Sequence, residues 1–312
     1  MAVRSANINV MVGAARKAAV RLVRDFGELE HLQVSVKGPG DFVSTADLRT
    51  ERILRKELER ARPGYGFLME ESGSATGTDE RNRWIIDPVD GTTNFLHGIP
   101  HFAISIALES DGRLVAGVVY EPLQDQMFWA ETGSGAHLND RRLRVSGRSR
   151  LDQSVFATGF PMMARTDEER AGFFRELSQM TAKTAGVRRF GTASLDLAFV
   201  AAGRFDGYWE TGLKPWDMAA GIVIVREAGG FVTDGSICQC TCEPKARVIP
   251  STSIEPKLRM VNVTFVSSGK LHRFNALGSK VMPGAGTQSQ ALAFQTGTDT
   301  RFGKTRLSPV NE

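Results

Sequence analysis

Two aspartates three residues apart, Asp87 and Asp90, close the apolar run Trp84-Ile85-Ile86, and Gly91, Thr92, Thr93 and Asn94 follow them. The run reads as a buried strand. Pro88 has no N–H for a ladder and is expected to end it. Gly91 lets the backbone turn tightly, and Thr92, Thr93 and Asn94 can cap a short helix. Carboxylates hold a hard cation through oxygen, and the amides of a helix start hold a phosphate. Both in one place point to metal-assisted chemistry on a phosphate ester. Alone, the stretch is equally a strand-to-turn corner whose aspartates cap the backbone, because these are ordinary turn residues.

Other acids sit at comparable places. Glu70 and Glu71 end the short strand Tyr65 to Met69, Asp47 lies in the first turn of a helix, and Glu210 ends the strand FDGYWETG. Asp217 lies two residues after Pro215, which suits the first turn of a helix. Each has a plain structural reading. Asp47 and Asp217 complement helix dipoles, and Glu210 is an exposed strand-end acid. His97 and His101 flank the central motif and are assigned no ligand role.

The elements that must position these side chains follow from periodicity. Residues 4–30 have Ile8, Val10, Met11, Ala14, Ala18, Leu22 and Phe26 near helical spacing. Val34 and Val36 suggest a short extended segment. Ser44 or Thr45 caps a helix over 46–61 that turns Ile53, Leu54 and Leu58 inward and Glu51, Arg55, Lys56 and Glu59 to solvent. Residues 72–79 read as a flexible loop rich in Gly, Ser and Thr. From Phe102 to Val145, alternating segments joined by short turns predict an antiparallel sheet. A second half follows, with a strand at SVFATGF, an amphipathic helix over 167–183 carrying Phe173, Phe174, Leu177 and Met180, and a strand at VRRF. A helix over 194–202 with Thr192 as a possible cap, the strand FDGYWETG, a helix over 215–228 and a strand at GGFVTD complete it.

The whole chain sets bounds. It has 312 residues, 41% hydrophobic and 24% charged, the composition of a water-soluble globular protein. No apolar run reaches the roughly 20 residues that span a bilayer. The N-terminus is amphipathic and interrupted by Arg16, Lys17, Arg21 and Arg24, unlike a signal peptide, so a cytoplasmic location is expected. The net charge of +4 is uneven: residues 235–312 carry ten Lys or Arg against four Asp or Glu, leaving twenty-nine against thirty-one before them. A mildly acidic body suits a metal site better than a nucleic-acid groove. Cys238, Cys240 and Cys242 form a C-x-C-x-C run without zinc-site spacing, and reduced thiols are expected.

Five stretches taken together are far more specific than any one: DFVSTAD at 41–47, EE at 70–71, DPVDGTTN at 87–94, GTAS at 191–194 and ETGLKPWD at 210–217. In this order, with WDMAAG at 216–221, they resemble the inositol monophosphatase family, its bacterial inositol-1-monophosphatase members most closely. The resemblance covers about residues 4–234. It implies an α+β fold, the layered αβαβα sandwich of the inositol monophosphatase and fructose-1,6-bisphosphatase type. Residues 1–234 would form the catalytic domain, in two subdomains divided near 150. Residues 235–282 would form a divergent end, and 283–312 an atypical, disordered tail.

The resemblance further implies Mg²⁺ held by Glu70, Asp87, the backbone carbonyl of Val89, Asp90 and Asp217. Glu70 and Thr92 would position the attacking water, with Asp47 poising the Thr92 hydroxyl. Gly91 and Thr92 amides would hold phosphate oxygens, and Asp90, Gly191, Thr192, Ala193 and Glu210 would face the polyol hydroxyls. Lys37 stands at the family's position for a basic residue near the metals. The implied activity is hydrolysis of inositol 1-phosphate or a similar polyol or sugar monophosphate, by a homodimer without membrane attachment. Histidinol phosphate, fructose 1,6-bisphosphate and nucleotide 3′-phosphates are the alternatives within the fold, although the body has no evident insertion or basic pocket for a second phosphate. A non-catalytic alternative is a regulatory binder of RNA or transcription proteins, with the basic tail as its arm.

Overall fold

The computed structural model describes residues 3–38, 41–160, 166–233, 260–264, 266–267 and 270–271. The chain begins with α1 (Ala6–Phe26) and the hairpin β1 (Val34–Gly38) and β2 (Asp41–Ser44), followed by α2 (Thr45–Ala61), β3 (Tyr65–Met69), β4 (Gly73–Ala75) and β5 (Asp79–Asp90). The short α3 (Thr92–Leu96) leads into β6 (Ala103–Ser110), β7 (Arg113–Glu121), β8 (Gln126–Glu131), β9 (Gly135–Leu138) and β10 (Arg141–Arg142). The second half has β11 (Val155–Thr158), α4 (Asp167–Thr181), β12 (Gly186–Arg188), α5 (Ala193–Ala201), β13 (Gly207–Thr211), α6 (Pro215–Glu227), β14 (Phe231–Thr233) and β15 (Met260–Thr264).

The fold is α+β and layered. The first sheet has the order β10-β9-β8-β7-β6-β5-β3-β4, and the second β12-β11-β13-β15-β14. In the first sheet only β3 and β5 are parallel. Side chains alternate across a strand, and β5 shows the consequence. Trp84 and Ile86 join the core beneath α1 and α2, whereas Ile85 joins the core shared with α5 and α6. That second core also takes in Ala157, Tyr208 and Val232 of the second sheet, so α5 and α6 lie between the sheets. α4 lies against β12.

Several expectations change. The central strand does not end at Pro88: β5 runs on to Asp90. Its pairing with β6 skips from Asp87 to Asp90, so Pro88 sits where no ladder N–H is required. The loop expected at 72–79 contains β4, an edge strand on β3. Gly91, in the left-handed region at φ 93°, is the cap of α3 rather than any of Thr92, Thr93 or Asn94. Thr192 precedes α5 but its side chain makes no capping bond. Glu51 is buried, not solvated, with 3% of its surface exposed. No residue of α4 is buried, and Phe174 is 55% exposed.

In the second sheet Met260–Thr264 lies between β13 and β14 and pairs antiparallel with both. The three cysteines and the tail from 283 lie outside the described residues.

Candidate active site

The site is assembled from strand ends and helix starts. β3 and β5 are parallel with Met69 opposite Ile86, so the next pair is Glu70 and Asp87. The Glu70 amide donates to the Ile86 carbonyl at 3.1 Å, carrying the ladder one step past β3. Adjacent in-register side chains share a face, which places these carboxylates together. Asp87 Oδ1 also accepts the Val89 N–H at 3.0 Å, fixing the strand end.

Asp90 reaches across the chain. Its Oδ2 accepts the Ser194 N–H at 2.6 Å, in the first turn of α5. The missing cap of that helix is therefore an aspartate 104 residues away in sequence. Asp217 is the third residue of α6, and its Oδ2 accepts the Lys214 N–H at 2.6 Å. Asp47 closes a capping box at the start of α2, accepting from Ser44 N at 2.8 Å and Ser44 Oγ at 2.5 Å. The Thr92 hydroxyl bridges Asp47 Oδ1, at 3.2 Å, and the Val89 carbonyl, at 3.0 Å.

The electrostatics are those of crowded anions. Burial, then the charges of Glu70, Asp90 and Asp217, hold the Asp87 carboxyl well above its ordinary range. Burial and then Asp90 do the same to Asp217. Burial pushes Asp90 to about 7 against its hydrogen bonds from Ser194, with Glu70 and Glu210 adding to the rise. Burial raises Glu70 also, offset in part by Lys37. Lys37 lies 3.2 Å from Glu70 and 2.7 Å from Glu71. Burial would lower the lysine, but its bonds to these two acids outweigh that and raise it. Glu71 is pushed to about 7, chiefly by burial.

A metal fits this donor set chemically. The oxygens are hard ligands of the kind that Mg²⁺ or Ca²⁺ takes, with no histidine or cysteine among them. Repulsion among buried carboxylates is what a cation would relieve. Among the described residues, however, no three acidic, His or Cys side chains are already drawn into a metal-holding group, and Glu70 faces Lys37.

The segment expected to face a polyol lies beside these acids. Asn94 Nδ2 donates to the carbonyls of His101 and Phe190, at 2.9 and 2.8 Å, and to Thr192 Oγ at 3.4 Å. Thr192 Oγ in turn donates to the His101 carbonyl at 3.0 Å, and the residue is fully buried. The Thr192 side chain is thus committed to the fold, and Gly191, Thr192 and Ala193 have their backbone to offer. Gly91 packs so closely that a Cβ there would fall 2.5 Å from Thr192 Oγ. Glu210, on β13, is half-buried and accepts a hydrogen bond from Tyr208. His101 packs at a tilt against Phe190 and is lowered to about 4 by burial, a packing histidine.

The sequence profile of the inositol monophosphatase family matches residues 4–263. The chain belongs to the inositol monophosphatase family. The inositol-1-monophosphatase of Mesorhizobium japonicum is 59% identical over 231 residues, 74% of this chain and 86% of that protein. The Nus factor SuhB of Pseudomonas aeruginosa is 44% identical over 229 residues, 73% of this chain and 84% of that protein. The crystal structure of the extragenic suppressor protein suhB from Bartonella henselae superposes with a TM-score of 0.72 at 60% identity, covering 74% of this chain and 88% of that one. By family, the chain is a phosphatase of the hydrolase class.

Three residues beside the site escaped the sequence reading. Glu51 has the helical phase of a solvent-facing residue, and the structure buries it. Asp196, in the first turn of α5, is buried with Oδ1 unpartnered and is driven well above its ordinary value by burial, Glu210 and Asp90. Tyr208 stands two residues before Glu210, the spacing that puts both on one face of β13. That spacing was the one available signal.

Proposed function

We propose that this chain is a Mg²⁺-dependent phosphatase acting on inositol 1-phosphate or a similar polyol monophosphate. The observation that carries the reading is the pairing of Glu70 with Asp87 at the ends of parallel strands, with Asp90 and Asp217 in the same field of charge. Glu70, Asp87, the Val89 carbonyl, Asp90 and Asp217 would hold the metal. Bound there, Mg²⁺ supplies Lewis-acid polarisation of the phosphate ester and makes water a better nucleophile.

The chain's own groups do the rest. The Thr92 hydroxyl spends its proton on Asp47 and the Val89 carbonyl, so its lone pairs can accept from and aim a water. Glu70 shares that task and accepts the water's proton. The amides of Gly91 and Thr92, at the start of α3, hold phosphate oxygens. Glu210, its rotamer held by Tyr208, accepts hydrogen bonds from polyol hydroxyls together with Asp90 and the backbone of Gly191, Thr192 and Ala193. Attack by water in line with the leaving alkoxide needs no covalent enzyme intermediate.

The test is phosphate release, with and without Mg²⁺, from inositol 1-phosphate, histidinol phosphate, fructose 1,6-bisphosphate and a nucleotide 3′-phosphate. The highest kcat/KM is expected on inositol 1-phosphate. Failure to release phosphate from any of them sinks the reading. Relatives named Nus factor SuhB favour a second role in binding RNA or transcription proteins. Asp90→Asn separates the two roles: it abolishes phosphate release and spares binding through another surface.

A further inference from the structure

Glu51 lies one helical turn after Asp47 on α2, so the two carboxylates share a face of the helix. Both point at the site, and each holds a different corner of it. Asp47 accepts the Thr92 hydroxyl beyond the end of β5. Glu51 Oε2 accepts the Glu71 N–H at 2.9 Å, and Oε1 accepts the Ser72 hydroxyl. The preceding amide, that of Glu70, is tied to β5 through the Ile86 carbonyl. Consecutive amides at 70 and 71 are therefore anchored to two different elements, with the Glu70 side chain between the anchors. A carboxylate buried to this depth is costly unless hydrogen-bonded. Here its bonds go to the turn that carries Glu70 and Glu71.

We propose that Glu51 is a positioning residue for the metal, fixing the Glu70–Glu71 corner against α2 so that Glu70 is held at a set distance from Asp87. The inference rests on the reading of Glu70 as a metal ligand. Outer partners of metal ligands govern affinity by setting the ligand's orientation. The rigid strut is α2, with Asp47 and Glu51 as its two points of attachment. Without the Glu51 acceptor, the Glu71 amide and Ser72 hydroxyl lose their partner and the corner is free to move.

The experiment uses the full chain stripped of metal, with the melting temperature followed as Mg²⁺ alone is added. Binding to the folded state raises the melting temperature in proportion to ln(1 + c/Kd) at Mg²⁺ concentration c, and the concentration at which the curve bends from flat to log-linear, taken as its midpoint, reports affinity. Glu51→Ala is expected to move the midpoint up by roughly 10–100-fold. Glu51→Gln keeps an acceptor for the Glu71 amide and a donor for Ser72 Oγ, and is expected to stay close to the unsubstituted protein. Ser72→Ala removes one anchor and is expected to fall between them. An unchanged midpoint in Glu51→Ala, even with a lower metal-free melting temperature, overturns the proposal, as does Glu51→Gln behaving like Glu51→Ala. If Glu51→Ala does not fold, Ser72→Ala decides by the same criterion. Absence of any Mg²⁺ response in the unsubstituted protein is a different result: it removes the metal reading itself.

Discussion

Asp90→Asn should stabilise the metal-free protein while destroying its activity. The asparagine carbonyl can still accept the Ser194 N–H, so α5 keeps its cap. What disappears is a negative charge that burial, and then the carboxylates of Glu70 and Glu210, disfavour. The folded-state value of about 7 lies above the ordinary 3.8, so between these limits the folded chain holds a proton that the unfolded chain has released. Stability from this group is fully present below pH ~4 and is lost as pH rises through 7. At about 1.4 kcal/mol per pH unit, the charge costs on the order of 4 kcal/mol by pH 8. Asparagine removes that cost. At about 2–4 °C per kcal/mol for a domain of this size, the variant should melt roughly 8 °C or more above the unsubstituted protein in EDTA at pH 8. At pH 4.5 the gain should shrink to about 1 kcal/mol, because Asp90 is then protonated in the folded protein. Addition of Mg²⁺ should reverse the order, raising the unsubstituted protein and leaving the variant nearly unmoved. Scanning calorimetry at the two pH values, with EDTA and with Mg²⁺, makes the four measurements. A variant no more stable than the unsubstituted protein in EDTA at pH 8 would refute the claim that the buried, crowded charge of Asp90 strains the metal-free site.

Gly91→Ala must place a Cβ 2.5 Å from Thr192 Oγ with φ at 93°. It should destabilise by about 1–3 kcal/mol in urea unfolding, and lower phosphate release as Thr192 shifts. Tyr208→Phe removes one hydrogen bond to Glu210 and leaves the ring packing. Its KM should rise by roughly 5–10-fold with kcat little changed, matching the roughly 1–1.4 kcal/mol that a typical hydrogen bond contributes.

What the sequence shows directly is local. Ser44 and Asp47 have the spacing of a capping box, and the structure contains it. Pro215 begins α6, and the turns from Phe102 onward do build antiparallel strands. What it hides is long-range. Glu51 has the helical phase of an outward residue, and only the fold of the 71–72 turn onto α2 buries it. Thr192 looks like the cap of α5, but its hydroxyl goes to the His101 carbonyl and Asp90 takes over the capping role. Pro88 looks like a strand end because the irregular pairing that accommodates it belongs to β5 and β6 together. The strand Met260–Thr264, inserted between β13 and β14, is separated from β14 in sequence by a stretch whose length carries no pairing signal.

The structural and chemical readings of the acids are not alternatives here. Asp47, Asp90 and Asp217 each accept an amide at or within the first turn of a helix, namely α2, α5 and α6. Three helix starts thus aim their positive ends at one place, and partial positive charge there favours carboxylates. The arrangement explains how the fold tolerates acids that repel one another. Every one of these carboxylates has one oxygen engaged in holding a helix, which fixes its direction before any cation arrives. Both alanine and asparagine at Asp217 should lose metal affinity and relieve the charge that burial and then Asp90 disfavour, and relative to asparagine, alanine should cost a cap, about 1 kcal/mol. The comparison of Asp217→Ala with Asp217→Asn by urea unfolding in EDTA separates the two contributions. Equal stabilities would mean that the bond to Lys214 holds nothing, and that the helix starts do not organise the site.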